Sequence, residues 1–258
     1  MRRFSDTASF AMINLKQVRS LSQKKFREET GLFIVEGTKS VLDLLRSELS
    51  VETVYALPEW LAAHGRELAA VRTEPVSEKE LERISCLTTP QEVLAVAKRP
   101  AASVDDLDFG RTLLMLDGIR DPGNLGTMVR TADWFGIRQL VCSPDCVELT
   151  NPKVVQATMG SFARVKVVYT DLPALLSSGK VRGEVYGAFM DGVPLKEVAF
   201  SAGDVLVIGS EGSGISPEVS ARVTRRVSIP AGVHSGERAE SLNASIAAAI
   251  VLYEASGR

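Results

Sequence analysis

Sulfur and imidazole are scarce in this chain. Three cysteines, Cys86, Cys142 and Cys146, and two histidines, His64 and His234, serve all 258 residues. There is no Cys-x-x-Cys spacing, and no histidine cluster accompanies Cys142 and Cys146. Neither a metal site nor a disulfide framework is expected, and the cysteines read as thiols in a reducing compartment. His64 reads as structural and His234 as a solvent-facing loop residue, neither with a catalytic role. Long apolar runs are also missing. The longest, Ile246 to Tyr253, falls far short of a bilayer span, and no charged-then-apolar leader opens the chain. A cytoplasmic protein without membrane contact is expected. Net charge is slight at −2, and so says little about partners.

Two glycine signatures are absent as well. Gly209, Gly212 and Gly214 follow neither the dinucleotide fingerprint nor the phosphate loop with its Gly-Lys-Ser/Thr ending. This disfavours a dehydrogenase or other dinucleotide enzyme.

What is present is an ordinary globular balance, 45% apolar and 24% charged, over a length that suits one large or two small domains. Strand and helix patterns alternate throughout. Asn14 to Glu29 reads as one helix. Strands follow at Leu32–Val35, Val51–Ala56, Ala70–Arg72 and Glu92–Ala97, with helices between them. Lys98 to Leu107 then breaks the rhythm with proline, small residues and charges. The expected organisation is a first α/β domain over 1–99, a linker over 100–109 and a second domain over 110–258. The second domain's continuing alternation implies a mostly parallel sheet with helices on both faces.

The leading segment is basic, with Lys16, Arg19, Lys24, Lys25 and Arg27 against Glu28 and Glu29. A nucleic-acid arm and a solvated basic helix both fit such a run.

In the second domain, strand Thr112–Leu116 leads to Asp117-Gly-Ile-Arg-Asp-Pro-Gly123. Asn124 is placed as the cap of a helix with apolar face Leu125, Met128, Val129, Ala132 and Phe135, closed by Gly136. Arg130 lies six residues on, about 9 Å of rise. Its side chain either leans back toward the strand ends or pairs in solvent with Asp133. Strand Asp204–Gly209 runs into a turn holding Glu211. A carboxylate there repels pyrophosphate but suits ribose hydroxyls, an amine or a cation; the plainer reading is a solvated loop residue. Ser241 reads as the cap of a closing helix whose apolar face is Leu242, Ile246, Ile250 and Tyr253. Two strand exits and a helix N-terminus would then converge, where parallel sheets bind ligands.

Three segments, Asp121-Pro-Gly-Asn-Leu-Gly-Thr-Met-Val-Arg-Thr-Ala-Asp133, Ile208-Gly-Ser-Glu-Gly-Ser-Gly214 and Ser228-Ile-Pro230 with Ser241-Leu-Asn243, together resemble the three motifs of the SpoU (TrmH-like) RNA 2′-O-ribose methyltransferases of the SPOUT superfamily. The segment from Lys25-Phe-Arg27 to Glu36-Gly37 resembles the L30e-like substrate-binding domain that precedes the catalytic domain in many members. The resemblance implies S-adenosylmethionine held by Gly209, Ile229 and Leu242. It implies a catalytic set of Asn124, Arg130, Glu211, Ser241 and Asn243, and no metal. It also implies a deep trefoil knot and a homodimer with sites completed across the interface. RNA would be gripped by Arg19, Lys24, Lys25 and Arg27. Ribosomal RNA is the favoured substrate, with transfer RNA or a catalytically silent RNA-binding assembly factor as alternatives. The 231–240 loop is longer than the family's usual link, which leaves its donor contacts open.

Overall fold

The computed structural model describes residues 14–232 and 240–256; His234 and the middle of the 231–240 loop lie outside them. The chain divides into two compact units, one up to Arg99 and one from Pro100 onward, with Arg46–Leu49 grouped in the second.

The first unit contains α1 (Leu15–Ser20), α2 (Lys24–Thr30), β1 (Leu32–Glu36), α3 (Thr38–Leu45), β2 (Val51–Ala56), α4 (Pro58–Ala63), β3 (Thr73–Pro75), α5 (Glu78–Ile84) and β4 (Val93–Lys98). Its sheet runs β1-β4-β2-β3, antiparallel except for the parallel β2/β3 pair. Val18, Leu21, Ile34, Ile84, Leu94 and Val96 form its core. Two local expectations are corrected here. The third strand is Thr73–Pro75 instead of Ala70–Arg72, because the Val71 N–H is taken by a turn to the Leu68 carbonyl. The single helix expected from Asn14 to Glu29 is two helices, broken at Leu21–Gln23.

That break explains Arg27. A helix end leaves carbonyls without helical partners, and the Arg27 guanidinium donates to Leu21 O at 2.8 Å and Ser22 O at 2.9 Å. Arg27 is 1% exposed. Its charge ties α2 to the end of α1, which corrects the expectation that it grips RNA.

The second unit contains β5 (Leu113–Asp117), α6 (Pro122–Trp134), β6 (Gln139–Cys142), α7 (Pro152–Thr158), β7 (Lys166–Tyr169), α8 (Leu172–Ser177), β8 (Val185–Pro194), β9 (Val205–Gly209), α9 (Pro217–Ser220), β10 (Arg225–Ser228) and α10 (Ala244–Ala255). Its six strands run β10-β8-β9-β5-β6-β7, and every pair is parallel. The central strands read as unbroken apolar runs, Leu113–Leu116 and Val205–Ile208, because helices cover both faces and all these side chains are buried. Helix α6 packs on α7 and α10. Gly126 permits that approach, since a Cβ there would overlap Ala157 and lie 2.9 Å from the Val154 carbonyl.

The last helix departs from expectation. Its inward face is Ala244, Ser245, Ala248, Val251 and Leu252. Ile246 and Tyr253, read as core, are 50% and 44% exposed. The helix is apolar nearly all round, so spacing alone does not say which side faces inward.

Candidate active site

The C-terminal ends of β5 and β9 deliver the chain into two loops that meet. After β5, Asp121 caps α6 by accepting the Asn124 N–H at 2.8 Å. Pro122 holds the first helical position, where its missing N–H costs nothing. Asn124 is therefore the third helical residue and not the cap, which leaves its side chain free to reach outward. The Asp-Pro pair at 121–122 carried that signal in the sequence. After β9, Ser210 and Gly214 exchange backbone hydrogen bonds of 3.1 and 2.9 Å, closing a tight turn around Glu211. Gly214 sits at φ +67°, a left-handed conformation suited to glycine, and a Cβ on Gly209 would collide with the Gly214 and Ile215 backbone. The Asp117 carboxylate, overlooked in the sequence, accepts from Ser216 N at 2.7 Å and fixes the turn's exit.

The two loops and the start of α10 are joined through one carboxylate oxygen. Glu211 Oε1 accepts from Asn124 Nδ2 at 2.9 Å, from the Ala244 N–H at 3.2 Å and from Asn243 Nδ2. Asn243 Nδ2 also donates to Asn124 Oδ1 at 3.0 Å. Meanwhile Asn243 Oδ1 accepts from Ser245 N at 2.9 Å and Ile246 N at 3.2 Å. Asn243, not Ser241, is thus the cap of α10. The negative charge of Glu211 lies at the positive end of that helix, where it is favoured.

Beside this knot of hydrogen bonds opens a cleft of about 890 Å³. Gly209, Ile229 and Leu242 all line it, as do Glu211 and Ser241. Apolar walls come from Ile208, Ile215, Pro230 and Ile250, and also from Phe189 and Met190 of β8, which the sequence reading did not single out. Among its described lining residues the only charged side chains are Glu211 and Glu240.

Arg130 is not part of this arrangement. It is exposed, and among the described residues it makes no hydrogen bond or ion pair. It lies six helical positions on from Asn124, which turns it about 120° away around α6. Nor does it pair with Asp133, whose carboxylate takes Arg164 at 2.8 Å and lies 3.9 Å from Arg138.

Near the β5–α6 connection, Cys146 Sγ accepts from Ile119 N at 3.2 Å and lies 3.3 Å from Ser143 Oγ. The Cys142 thiol, Ser143 and that N–H together lower the Cys146 thiol to about 7 against its burial. In the first unit, exposed Lys24 and Lys25 lie 3.7 and 3.8 Å from Glu28 and Glu29, and the Arg19 guanidinium donates to the Ser85 carbonyl. Among the described residues no His/Cys/Asp/Glu group could hold a metal ion, and no helix is long and apolar enough to cross a membrane.

Residues 111–253 match the SpoU rRNA Methylase family. The chain belongs to that family. Residues 13–95 match the MRM3-like substrate binding domain, the position at which a substrate-binding domain was expected. SpoU-family relatives span nearly the whole chain. It is 31% identical to the 23S rRNA (guanosine(2553)-2′-O)-methyltransferase RlmP of Bacillus subtilis, over 94% of this chain and 96% of that one. It is 29% identical to the 23S rRNA (uridine(2479)-2′-O)-methyltransferase of Streptomyces viridochromogenes, over 91% and 86%. The solved AdoMet-bound rRNA methyltransferase of Sinorhizobium meliloti superposes with a TM-score of 0.83 at 29% identity, covering 93% of each chain.

Proposed function

We propose that this SpoU-family chain transfers a methyl group from S-adenosylmethionine to a ribose 2′-hydroxyl of 23S ribosomal RNA in the cytoplasm. The observation that carries the reading is the cleft's charge. Apolar walls with two carboxylates and no described basic side chain suit a cationic sulfonium and would repel a phosphate. When bound, the donor supplies an electrophilic methyl on positively charged sulfur. Gly209, Ile229 and Leu242 would hold it, and Glu211 and Ser241 face the same space. Asn124 and Asn243 fix Glu211 in place. Holding nucleophile and methyl in line supplies much of the acceleration.

Arg130 completes the site from a second copy. A guanidinium with pKa above about 12 is a poor base, so Arg130 clamps the phosphate beside the target ribose and stabilises the developing alkoxide, with the proton leaving through that phosphate or a water. Its exposure, its lack of partners among the described residues and its turn away from Asn124 support a role in the partner subunit's site. The outward Ile246 and Tyr253 of α10, with Trp134 84% exposed on α6, supply an apolar surface for a homodimer. The same reading has the chain beyond β9 pass through a loop as a deep trefoil knot. The first unit presents Arg19, Lys24 and Lys25 to RNA phosphates; Arg27 is withdrawn from that set.

The test is to incubate the protein with methyl-labelled donor and separately purified 23S ribosomal and transfer RNA. Label entering 23S RNA is expected. Label in transfer RNA alone would overturn the substrate assignment, and donor binding with no transfer to either RNA would favour a silent RNA-binding factor.

A further inference from the structure

Strand β8 carries an excursion that no functional motif accounts for. Its pairing with β10 aligns Gly187 with Arg226 and then Val193 with Val227, so residues 188–192 oppose nothing on the neighbouring strand. Such an insertion bends a strand and re-aims its side chains. The base is pinched shut. A Cβ on Gly192 would collide with the Arg226 and Val227 backbone, and Ser228 Oγ donates to the Gly192 carbonyl at 2.7 Å. The excursion faces the cleft, which Ala188, Phe189 and Met190 line, and Met190 is 71% exposed.

Phe189 rests partly against the second unit's core, and one charged side chain braces this wall from outside the cleft. The Arg226 guanidinium carbon lies 3.5 Å from the Phe189 ring centroid, and the same guanidinium donates to the Asp191 carboxylate. Arg226 therefore grips the residues on both sides of Met190, one through the face of a ring and one through charge. It is absent from the cleft lining, so whatever it does for a ligand it does through the excursion.

We propose that Arg226 is a positioning residue for methyl-donor binding: by holding Phe189 and Asp191 it sets the 188–192 excursion as the cleft's outer apolar wall. The inference rests on the proposed methyl-donor cleft. Without the brace, a five-residue excursion paired to nothing on β10 samples other conformations, and each binding event must order it again.

The test is calorimetric titration of the full-length protein with S-adenosylmethionine, comparing wild type with Arg226→Ala, Arg226→Lys and Asp191→Asn, each first checked for a wild-type melting transition. Arg226→Ala should weaken donor affinity about five- to tenfold. Asp191→Asn should weaken it less, and Arg226→Lys should recover part of the loss. In turnover the effect should appear as a raised KM for donor with kcat little changed, and the amides of residues 188–192 should exchange faster. Wild-type affinity in a folded Arg226→Ala or Asp191→Asn protein overturns the inference and leaves the methyl-donor reading standing. Failure of wild type itself to bind the donor overturns both.

Discussion

Asn124 and Glu211, 87 residues apart in sequence, are joined by a 2.9 Å hydrogen bond from Asn124 Nδ2 to Glu211 Oε1. That bond ties the loop after β5 to the loop after β9, and Asn243 adds the start of α10 to the same oxygen. Three segments distant in the chain are thereby fixed around one carboxylate.

Removing that carboxylate should therefore disorder the site more than it unfolds the protein. Glu211→Ala leaves the Asn124 and Asn243 amides and the Ala244 N–H without their acceptor, and should lower kcat/KM by roughly 10–100-fold, as expected for losing a charged hydrogen-bond partner. Glu211→Gln keeps one acceptor oxygen and should lose less. Methyl-transfer kinetics check this; equal activity of Glu211→Ala and wild type would remove Glu211 from the site.

Arg130 gives a sharper test because it has no partner among the described residues of its own chain. If it serves a neighbouring copy, Arg130→Ala and Glu211→Ala proteins, each strongly impaired alone, should gain activity when refolded together. Random pairing would give half mixed dimers with one intact site each, roughly a quarter of wild-type turnover. No recovery would place Arg130 in its own chain's site or outside catalysis.

These two residues also show what the sequence disclosed and what it hid. The α/β alternation, the parallel sheet and the Glu211 turn were readable because buried strands are short β-branched runs and the turn needs its glycines. The caps were misplaced by local ambiguity. Asn124 and Ser241 are good capping types, but Asp121 beside Pro122 and Asn243 hold the caps, and this decides which side chains are free for chemistry. The orientation of α10 was hidden because Ile246, Ile250 and Tyr253 keep helical spacing on a helix whose opposite face is also apolar. Burial of Arg27 was invisible, since it depends on a helix break whose carbonyls needed donors.

The α6–α7 contact predicts a stability effect. Gly126→Ala would place a methyl against Ala157 and the Val154 carbonyl, an overpacking that should cost about 1–3 kcal/mol. A thermal melt several degrees below wild type is expected, and an unchanged melt would mean the helices can part without penalty.

Cys146 predicts a pH dependence. Its folded thiol ionises near 7, below its ordinary 9.0, whereas burial, aided by Glu36, pushes Cys86 up to about 11. The folded state releases this proton before the unfolded state does. Its stabilising contribution is therefore complete above the ordinary thiol value and is lost as pH falls through about 7. Thermal melts should rise across that window, and Cys146→Ser should flatten the rise. A thiolate absorbance band that appears near neutrality and survives Cys146→Ser would contradict the assignment.

Lys24 and Lys25 should act on RNA alone. Replacing both with glutamate should weaken RNA binding and make its salt dependence shallower, with donor affinity unchanged in calorimetry. Equal loss of both affinities would mean the lysines support the fold as a whole.

The atom that receives the methyl group is the most direct test. After reaction with labelled donor, the RNA is digested to nucleosides and separated by mass spectrometry. The added methyl should appear on the ribose fragment of a single 23S nucleotide, and a methyl on a base fragment would contradict transfer to the 2′-hydroxyl.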